Sequence, residues 1–457
     1  MKKFALHAVA TVALLAFSHP ASSTDVFRLE GYGAVSRGLG GAATAVDVGA
    51  PGMMTNPATL SLIKEGASVH LGLDMVNTDI DVRNQATGEV VSSNSHSHNR
   101  GPYVAPEAAF VYRRGALALG VGAFAQGGLG TEYGNSSFLS RATGALESGL
   151  ENSSRLLVLS IPFAVSYAVD ERLTIGGSLD AVWQGLNLEL LLGADQVGSL
   201  IGSGRASGSL IGVLAGLPDL RGAHFSLTRD QPLNSGVDAW GFGGRVGLTY
   251  KATDATLLGV AYTLEASMED MKGRATLTAV DGAAGQIPLN GRIKLRDFKM
   301  PAHVDFGVSH RIDSRWLVAA DISRVFWRHA MKDINVGFVA DGGIGNIDIL
   351  LPQGYRDQTV LSVGMAYGVD NWTWRGGFRI ASQALRSETL FAVIPAIPRK
   401  HLSAGLSYNF PAGSRIDVAY SHAFKQSMSN STLPNTSDPI SISHSQNNMS
   451  LAYVLPF

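Results

Sequence analysis

The chain has 457 residues, 53 of them Gly, with only 16% charged residues and a formal net charge of −1. A face that tracks the phosphates of a nucleic acid would normally show as a basic excess, so nucleic acid is excluded as a partner, and so much Gly with so little charge is unusual for a soluble enzyme. The absence of Cys rules out a disulfide scaffold and leaves backbone pairing and burial as the sources of stability.

Lys2 and Lys3, the apolar run Phe4 to Phe17 and the small-residue stretch "SHPASS" match the three regions of a secretory signal, so residues 1–23 are expected to be removed near Ser23. The run is too short for a membrane anchor, which needs about 20 apolar residues.

Residues 24–63 form the next unit. It contains "GLGGAATAVDVGAPGMMTNPATLSLI" from Gly38, rich in Gly and Ala with the single acid Asp47. Pro57 with Gly49 and Gly52 interrupts any long helix, and Asn56 before Pro57 suits a turn. Such a segment packs closely against other backbone but does not build a domain of its own.

From residue 64 onward the pattern has period two. Trp240, Phe242, Val246, Leu248 and Tyr250 share one face and Gly241, Gly243, Arg245, Gly247 and Thr249 the other. "LSVGMAYGV" from Leu361 and "HLSAGLSYNF" from His401 alternate in the same way. A soluble sandwich would carry Lys and Glu on its polar faces; these carry Gly, Ser, Thr and occasional Arg, so the polar side is enclosed. Beyond the signal no run of 18 apolar residues exists, which excludes helical spans. Trp372, Trp374, Tyr408, Phe410, Tyr420 and Tyr453 lie near run ends, as girdle residues do.

Runs of this kind fall near 67–78, 103–113, 116–126, 157–169, 172–187, 238–251, 255–273, 292–311, 314–329, 357–369, 372–382, 400–410, 414–427 and 444–457. The expectation is an all-β, antiparallel transmembrane barrel of about 14 strands over 64–457. Tight links such as "VDER" from Val169, "DSR" from Asp313 and "PAGS" from Pro411 alternate with long ones near 127–156, 188–237 and 330–356. One rim is therefore short and the other elaborate. The last strand, "MSLAYVLPF", ends on Phe457, the aromatic terminus that outer-membrane barrels present to their insertion machinery. A barrel of this size leaves an aqueous lumen, so 24–63 is expected to be a plug.

The stretch "SRGLGGAATAVDVGAPGMMTNPATLS" resembles the start of the FadL (OMPP1/FadL/TodX) family of outer-membrane transporters for long-chain fatty acids and other hydrophobic compounds. Further similarities run through "WGFGGRVGLTYK", "MPAHVDFGVSHRIDSRWLVAADISRVFW", "DNWTWRGGF" and "KHLSAGLSYNF", covering essentially the whole mature chain. The resemblance implies a hatch carrying Gly38, Gly40 and the Asn56-Pro57-Ala58 motif. It also implies capture of ligand among extracellular loops and sideways release at a kinked third strand. That strand corresponds to Leu117–Gly130, where Gly120, Gly122, Gly127 and Gly128 are gate candidates, against the plain reading that Gly is common throughout the chain.

Each methylene buried from water is worth about 0.8 kcal/mol, so an apolar solute needs a series of greasy sites and not a wet pore. Leu190, Leu191, Leu192, Ile211, Val213, Leu214 and Leu217 form helix-compatible apolar clusters suited to capture, with Phe138 and Leu139 as wall candidates from the neighbouring loop. By strand parity Arg245, Arg375 and Arg379 face the lumen, where each pairs either with a ligand carboxylate or with a lumenal acid such as Asp47 or Asp305.

No covalent catalysis and no cofactor are expected. "GLGGAA" at Gly38 and "GVGAFA" at Gly120 mimic a dinucleotide fingerprint without its βαβ context, and no P-loop Lys or zincin His pair is present. His96 and His98 sit in a Ser/Asn-rich stretch where a solvated dyad outweighs a metal site. The function expected is passive uptake of hydrophobic small molecules across the outer membrane of a Gram-negative cell. The rivals are a porin for polar solutes, an outer-membrane hydrolase and an adhesin; fatty acid, alkane and aromatic cargo stay open.

Overall fold

The computed structural model describes residues 26–94, 96–97, 101–227, 236–430 and 438–457; the expected signal segment and His98 lie outside the described residues. The main strands, in chain order, are β1 (Gly66–Asn84), β2 (Tyr103–Arg114), β3 (Leu117–Glu132), β4 (Ser153–Ala168), β5 (Leu173–Gly193), β6 (Leu220–Ser226) and β7 (Val237–Thr253). They continue as β8 (Thr256–Thr263), β9 (Met271–Asp281), β10 (Gly285–Arg296), β11 (His303–Arg311), β12 (Trp316–Val325), β13 (Asp333–Ala340) and β14 (Asn346–Pro352). The last are β15 (Gln358–Val369), β16 (Trp372–Ala381), β17 (Lys400–Asn409), β18 (Arg415–Asn430) and β19 (Ile440–Pro456).

Antiparallel ladders link β1 to β5 in order, then β5 to β7, β7 to β8, β8 to β11, β11 to β12 and β12 to β15. They run on through β16, β17 and β18 to β19, and β19 pairs with β1 from Ser68↔Pro456 to Asn84↔Ile440. The ladders therefore close into a ring. On one rim β6, β9, β10, β13 and β14 extend the sheet beyond β5.

The ladders close the ring through 14 strands, and the single large sheet, counting the rim extension and the short strands, holds 22. Two expected runs, 255–273 and 292–311, are interrupted, at 264–270, where only the two-residue strand Ser267–Met268 forms, and at 297–302. The upper halves leave the ring there and join the rim extension. "LNLELLLG", expected as helix-compatible, is the upper end of β5, while Leu210–Ala215 does form a short helix.

The alternation sorts side chains as the sequence implies. Trp240, Phe242, Val246, Leu248 and Tyr250 are exposed on the outside, while Arg245 and Thr249 are buried inside. From Trp240 to Tyr250 a strand rising about 3.4 Å per residue and tilted about 40° climbs roughly 26 Å, the height of an outer-membrane barrel's apolar band. At the tight-turn rim Trp372 packs on Tyr408, with ring centroids 4.5 Å apart, and Tyr408 on Phe410 at 4.9 Å. Phe457 follows directly on the last strand and is exposed.

The segment from Val26 to Ile63 lies within the ring as a short helix, α1 (Gly33–Gly38), and two 3-10 stretches, Ala50–Met54 and Pro57–Leu62. Lumen-facing glycines make room for it. A Cβ at Gly364 or Gly377 would overlap the backbone at Leu39 and Gly40, one at Gly259 the carbonyl of Thr44, and one at Gly176 the backbone of Ala58. The Gly-rich inner face is thus the imprint of a chain threaded through the barrel. Polar ties complete the fit. Asp321 accepts from Ala43 N (2.8 Å), Thr44 N (2.9 Å) and Thr44 Oγ1 (2.7 Å), and Ser309 Oγ donates to Ala45 O at 2.6 Å.

Candidate functional site

Two cavities meet at the start of this inner segment. The upper one sits beneath the rim extension, with about 60 Å3 of free space. Leu186, Leu188, Leu190 and Leu192 enter it from alternate positions of β5; Phe225, Ile293, Leu295, Ile334, Val336, Ile349 and Leu351 come from β6, β10, β13 and β14. Among the described residues the lining holds no charged side chain. Its two polar members are engaged elsewhere: Ser154 Oγ donates to Val393 O at 2.5 Å and Gln353 Nε2 to Pro352 O at 3.1 Å. Phe27 forms the floor, its ring 5.6 Å from Trp327 edge-on and 6.3 Å from both Phe298 and Tyr355.

The lower cavity holds about 530 Å3. Val26, Arg28 and Leu29 separate it from the upper one, and Leu129 and Leu156 line both. Its lining includes the lumen-facing His444 and Asn448 together with Leu73 and Val104, which parity places on the lipid side. The cavity therefore passes through the wall.

The passage arises because β2 and β3 stop pairing at Ala108↔Ala123, although β3 continues against β4 to Glu132 across a bulge between Ala125 and Gly127. The freed edge of β3 turns to the inner segment instead. Gly128 N donates to Phe27 O at 2.7 Å, Arg28 bridges Gly127, and Tyr32 Oη donates to Gln126 O at 3.1 Å. A Cβ at Gly127 would overlap the Phe27 carbonyl, so this close approach requires glycine. Across the gap the Tyr103 ring lies over Gly130, with the Arg155 guanidinium 5.8 Å from the ring centre.

The candidate residues divide. Leu190 and Leu192 line the upper cavity, whereas Leu191 points the other way and packs with Ala142 and Val280. Phe138, Leu139 and Leu214 are buried, Ile211 packs against the same core, Leu217 is half-buried and Val213 is exposed; none lines either cavity. Gly127 and Gly128 lie at the bulge and line the lower cavity, while Gly120 faces Met53 and Gly122 lies beside Phe124, both below it. Gly38 approaches Gly405, and Gly40 has φ +67° against the backbone of Phe378.

Asn56 caps the turn that Pro57 begins, accepting from Ala58 N at 3.1 Å, and its amide donates to Thr44 O (2.8 Å) and to Leu248 O (3.1 Å) on β7. All three arginines face inward, as parity requires. Arg245 pairs with Asp180, Arg375 donates to Ser407 Oγ (2.6 Å) and Arg379 to Ser362 Oγ (2.7 Å). None lines either cavity. Sequence reasoning missed Phe27, Phe298 and the loop residues Phe391, Val393 and Ile394; the apolar run "FAVIPAIP" was the available signal.

The profile of the family described as outer membrane protein transport protein (OMPP1/FadL/TodX) matches residues 12–455. The Pseudomonas putida toluene transporter TodX is 40% identical, with 95% of this chain and 100% of that chain covered and a TM-score of 0.83. The Ralstonia pickettii toluene transporter TbuX is 44% identical over 94% of this chain and 99% of its own, with a TM-score of 0.80. Outer membrane protein P1 of Haemophilus influenzae is 23% identical over 440 residues, 92% of this chain and 90% of that protein.

Proposed function

We propose, for a chain that belongs to the OMPP1/FadL/TodX family of outer-membrane channels for hydrophobic compounds, that its cargo is a small neutral hydrocarbon, a monoaromatic ring above all. The observation that carries this reading is the upper cavity, whose lining has no cation to meet a carboxylate. An ionised head group in such a site would lose its hydration without a partner. A ring of Phe size gains roughly 2–3 kcal/mol on leaving water, enough for capture and small enough for release. A sixteen-carbon tail would gain roughly 12 kcal/mol, far more than easy release allows. The likeness at 40–44% identity to two toluene transporters supports the same choice.

In this reading residues 24–63 act as the hatch of the barrel unit 64–457, and Phe27 is the step between the cavities. Cargo enters among the rim loops, rests on Phe27, passes to the lower cavity and leaves through the gap between β2 and β3 into lipid. Movement is passive and non-covalent. The buried stretch from Gly33 to Ala45 supports this over an open porin for polar solutes. Phe457, exposed at the lipid-facing strand end, would serve the insertion machinery during assembly.

Competition binding tests the cargo. Protein extracted in mild detergent should exchange bound toluene for p-xylene and ignore hexadecanoate at equal concentration. Preferential displacement by hexadecanoate would overturn the reading.

A further inference from the structure

The outer face of the rim extension has no place in the transport route. On β9 and β10 like charges stand directly opposite: Lys272↔Lys294 and Arg274↔Arg292, with Arg296 next on β10. Directly opposed like charges destabilise a sheet. Edge protection does not explain them, since at Lys272 β9 lies between β7 and β10, and β10 lies between β9 and β13. These five cations line an outward groove of about 590 Å3, with Gly273 and Gly337 also in its lining. Arg274, Lys294 and Arg296 each have a carboxylate, Asp341, Asp270 and Asp348 respectively. Lys272 and Arg292 have none within ion-pair distance among the described residues, although Asp341, paired with Arg274, also feels the charge of Arg292.

The position of the groove identifies its occupant. Lys272 pairs across the ladder with Asp238, two residues from Trp240, which marks the upper limit of the lipid-facing band on β7. A two-residue step is about 7 Å, so the lowest cations lie at the level of lipid headgroups and on the face turned to lipid. Asp238 itself is occupied, accepting from Trp183 Nε1 at 2.8 Å. We propose that this groove binds the phosphorylated headgroup of an outer-leaflet glycolipid, with Lys272 and Arg292 supplying the unpaired charge and Arg274 and Lys294 the flanking donors. Phosphate relieves the opposed cations, and an acyl-chain anchor places it at this height. The site is separate from the hydrocarbon route, although β10 serves both: Ile293 and Leu295 line the upper cavity from the opposite face.

The test uses the full-length protein in vesicles containing either bisphosphorylated lipid A or its dephosphorylated form, followed by native mass spectrometry of the extracted protein. The parent should retain the phosphorylated lipid, and the Lys272→Gln/Arg292→Gln variant should retain at least about tenfold less, with toluene binding unchanged. Lys272→Arg/Arg292→Lys, which keeps both charges, should retain it as the parent does. Equal retention by parent and Gln variant, equal retention of the dephosphorylated lipid, or loss in the charge-preserving variant would overturn the proposal. Should the Gln pair fail to assemble, high salt must strip the lipid from the parent; retention indifferent to salt would also overturn it.

Discussion

The amide of Gly128 donates to the carbonyl of Phe27 at 2.7 Å, at the level where β3 has lost its ladder to β2. One contact thus joins three features: the bulge, the opening in the wall and the aromatic floor of the upper cavity. Gly127→Val places side-chain atoms where the Phe27 carbonyl lies, and overpacking of this kind costs about 1–3 kcal/mol. The barrel should assemble normally by heat-modifiable migration, while toluene retention falls roughly tenfold because Phe27 is displaced. Unchanged retention would separate Phe27 from cargo binding.

Asn56 holds two parts of the inner segment and the wall together through Thr44 O, Leu248 O and Ala58 N. Asn56→Ala leaves two buried carbonyls without this donor, at about 1–3 kcal/mol each before water compensates. Hydrogen exchange should show faster exchange over residues 44–60 with ring strands still protected, and hydrocarbon uptake by whole cells should drop. Equal uptake by variant and parent would count against a hatch role for this turn.

Strand parity on β5 supplies an internal control. Leu190→Asn and Leu192→Asn put an amide into the apolar cavity, whereas Leu191→Asn faces the small cluster with Ala142 and Val280. Introducing one unpaired amide costs about 1–3 kcal/mol, so the first two should weaken toluene binding roughly tenfold or more and the third should leave it within about twofold. Calorimetry on the purified proteins reads the difference.

The β9–β10 turn should be acid-sensitive. Burial pushes the Asp281 carboxyl up, but the amides of Ala284, Asp219 and Ala283 and the nearby Arg221 outweigh it and hold the group below the ordinary carboxylate range. A depressed folded value means that its stabilisation is complete above the unfolded value of about 3.9 and is lost as pH falls through the folded value. Limited proteolysis with an acid-active protease should therefore begin at this turn in the parent only below about pH 4, and near neutral pH with a neutral protease in Asp281→Ala. Cleavage of the parent at neutral pH would refute the capping role.

Much of the wall was legible because period two is local: Trp240 to Tyr250 declare their faces without reference to any partner. Parity likewise turned Arg245 inward, but its acceptor Asp180 is on another strand, and no local pattern links the two. Leu186 to Leu192 misled because a continuous Leu-rich run fits a helix and a doubly buried strand equally well. The breaks at 264–270 and 297–302 were hidden for a similar reason, since alternation resumes beyond each and only the change of partner marks the departure. Phe27 was beyond reach because its neighbours Phe298, Trp327 and Tyr355 lie far along the chain.

Closing the gap tests the exit route most directly. With no native Cys, Tyr103→Cys/Gly130→Cys gives the chain its only thiols, and these flank the opening between β2 and β3. Linked by a short thiol-reactive bridge in proteoliposomes, the variant should still bind toluene in the upper cavity but deliver almost none to lipid, and cleaving the bridge should restore delivery. Full delivery with the bridge in place would contradict lateral release.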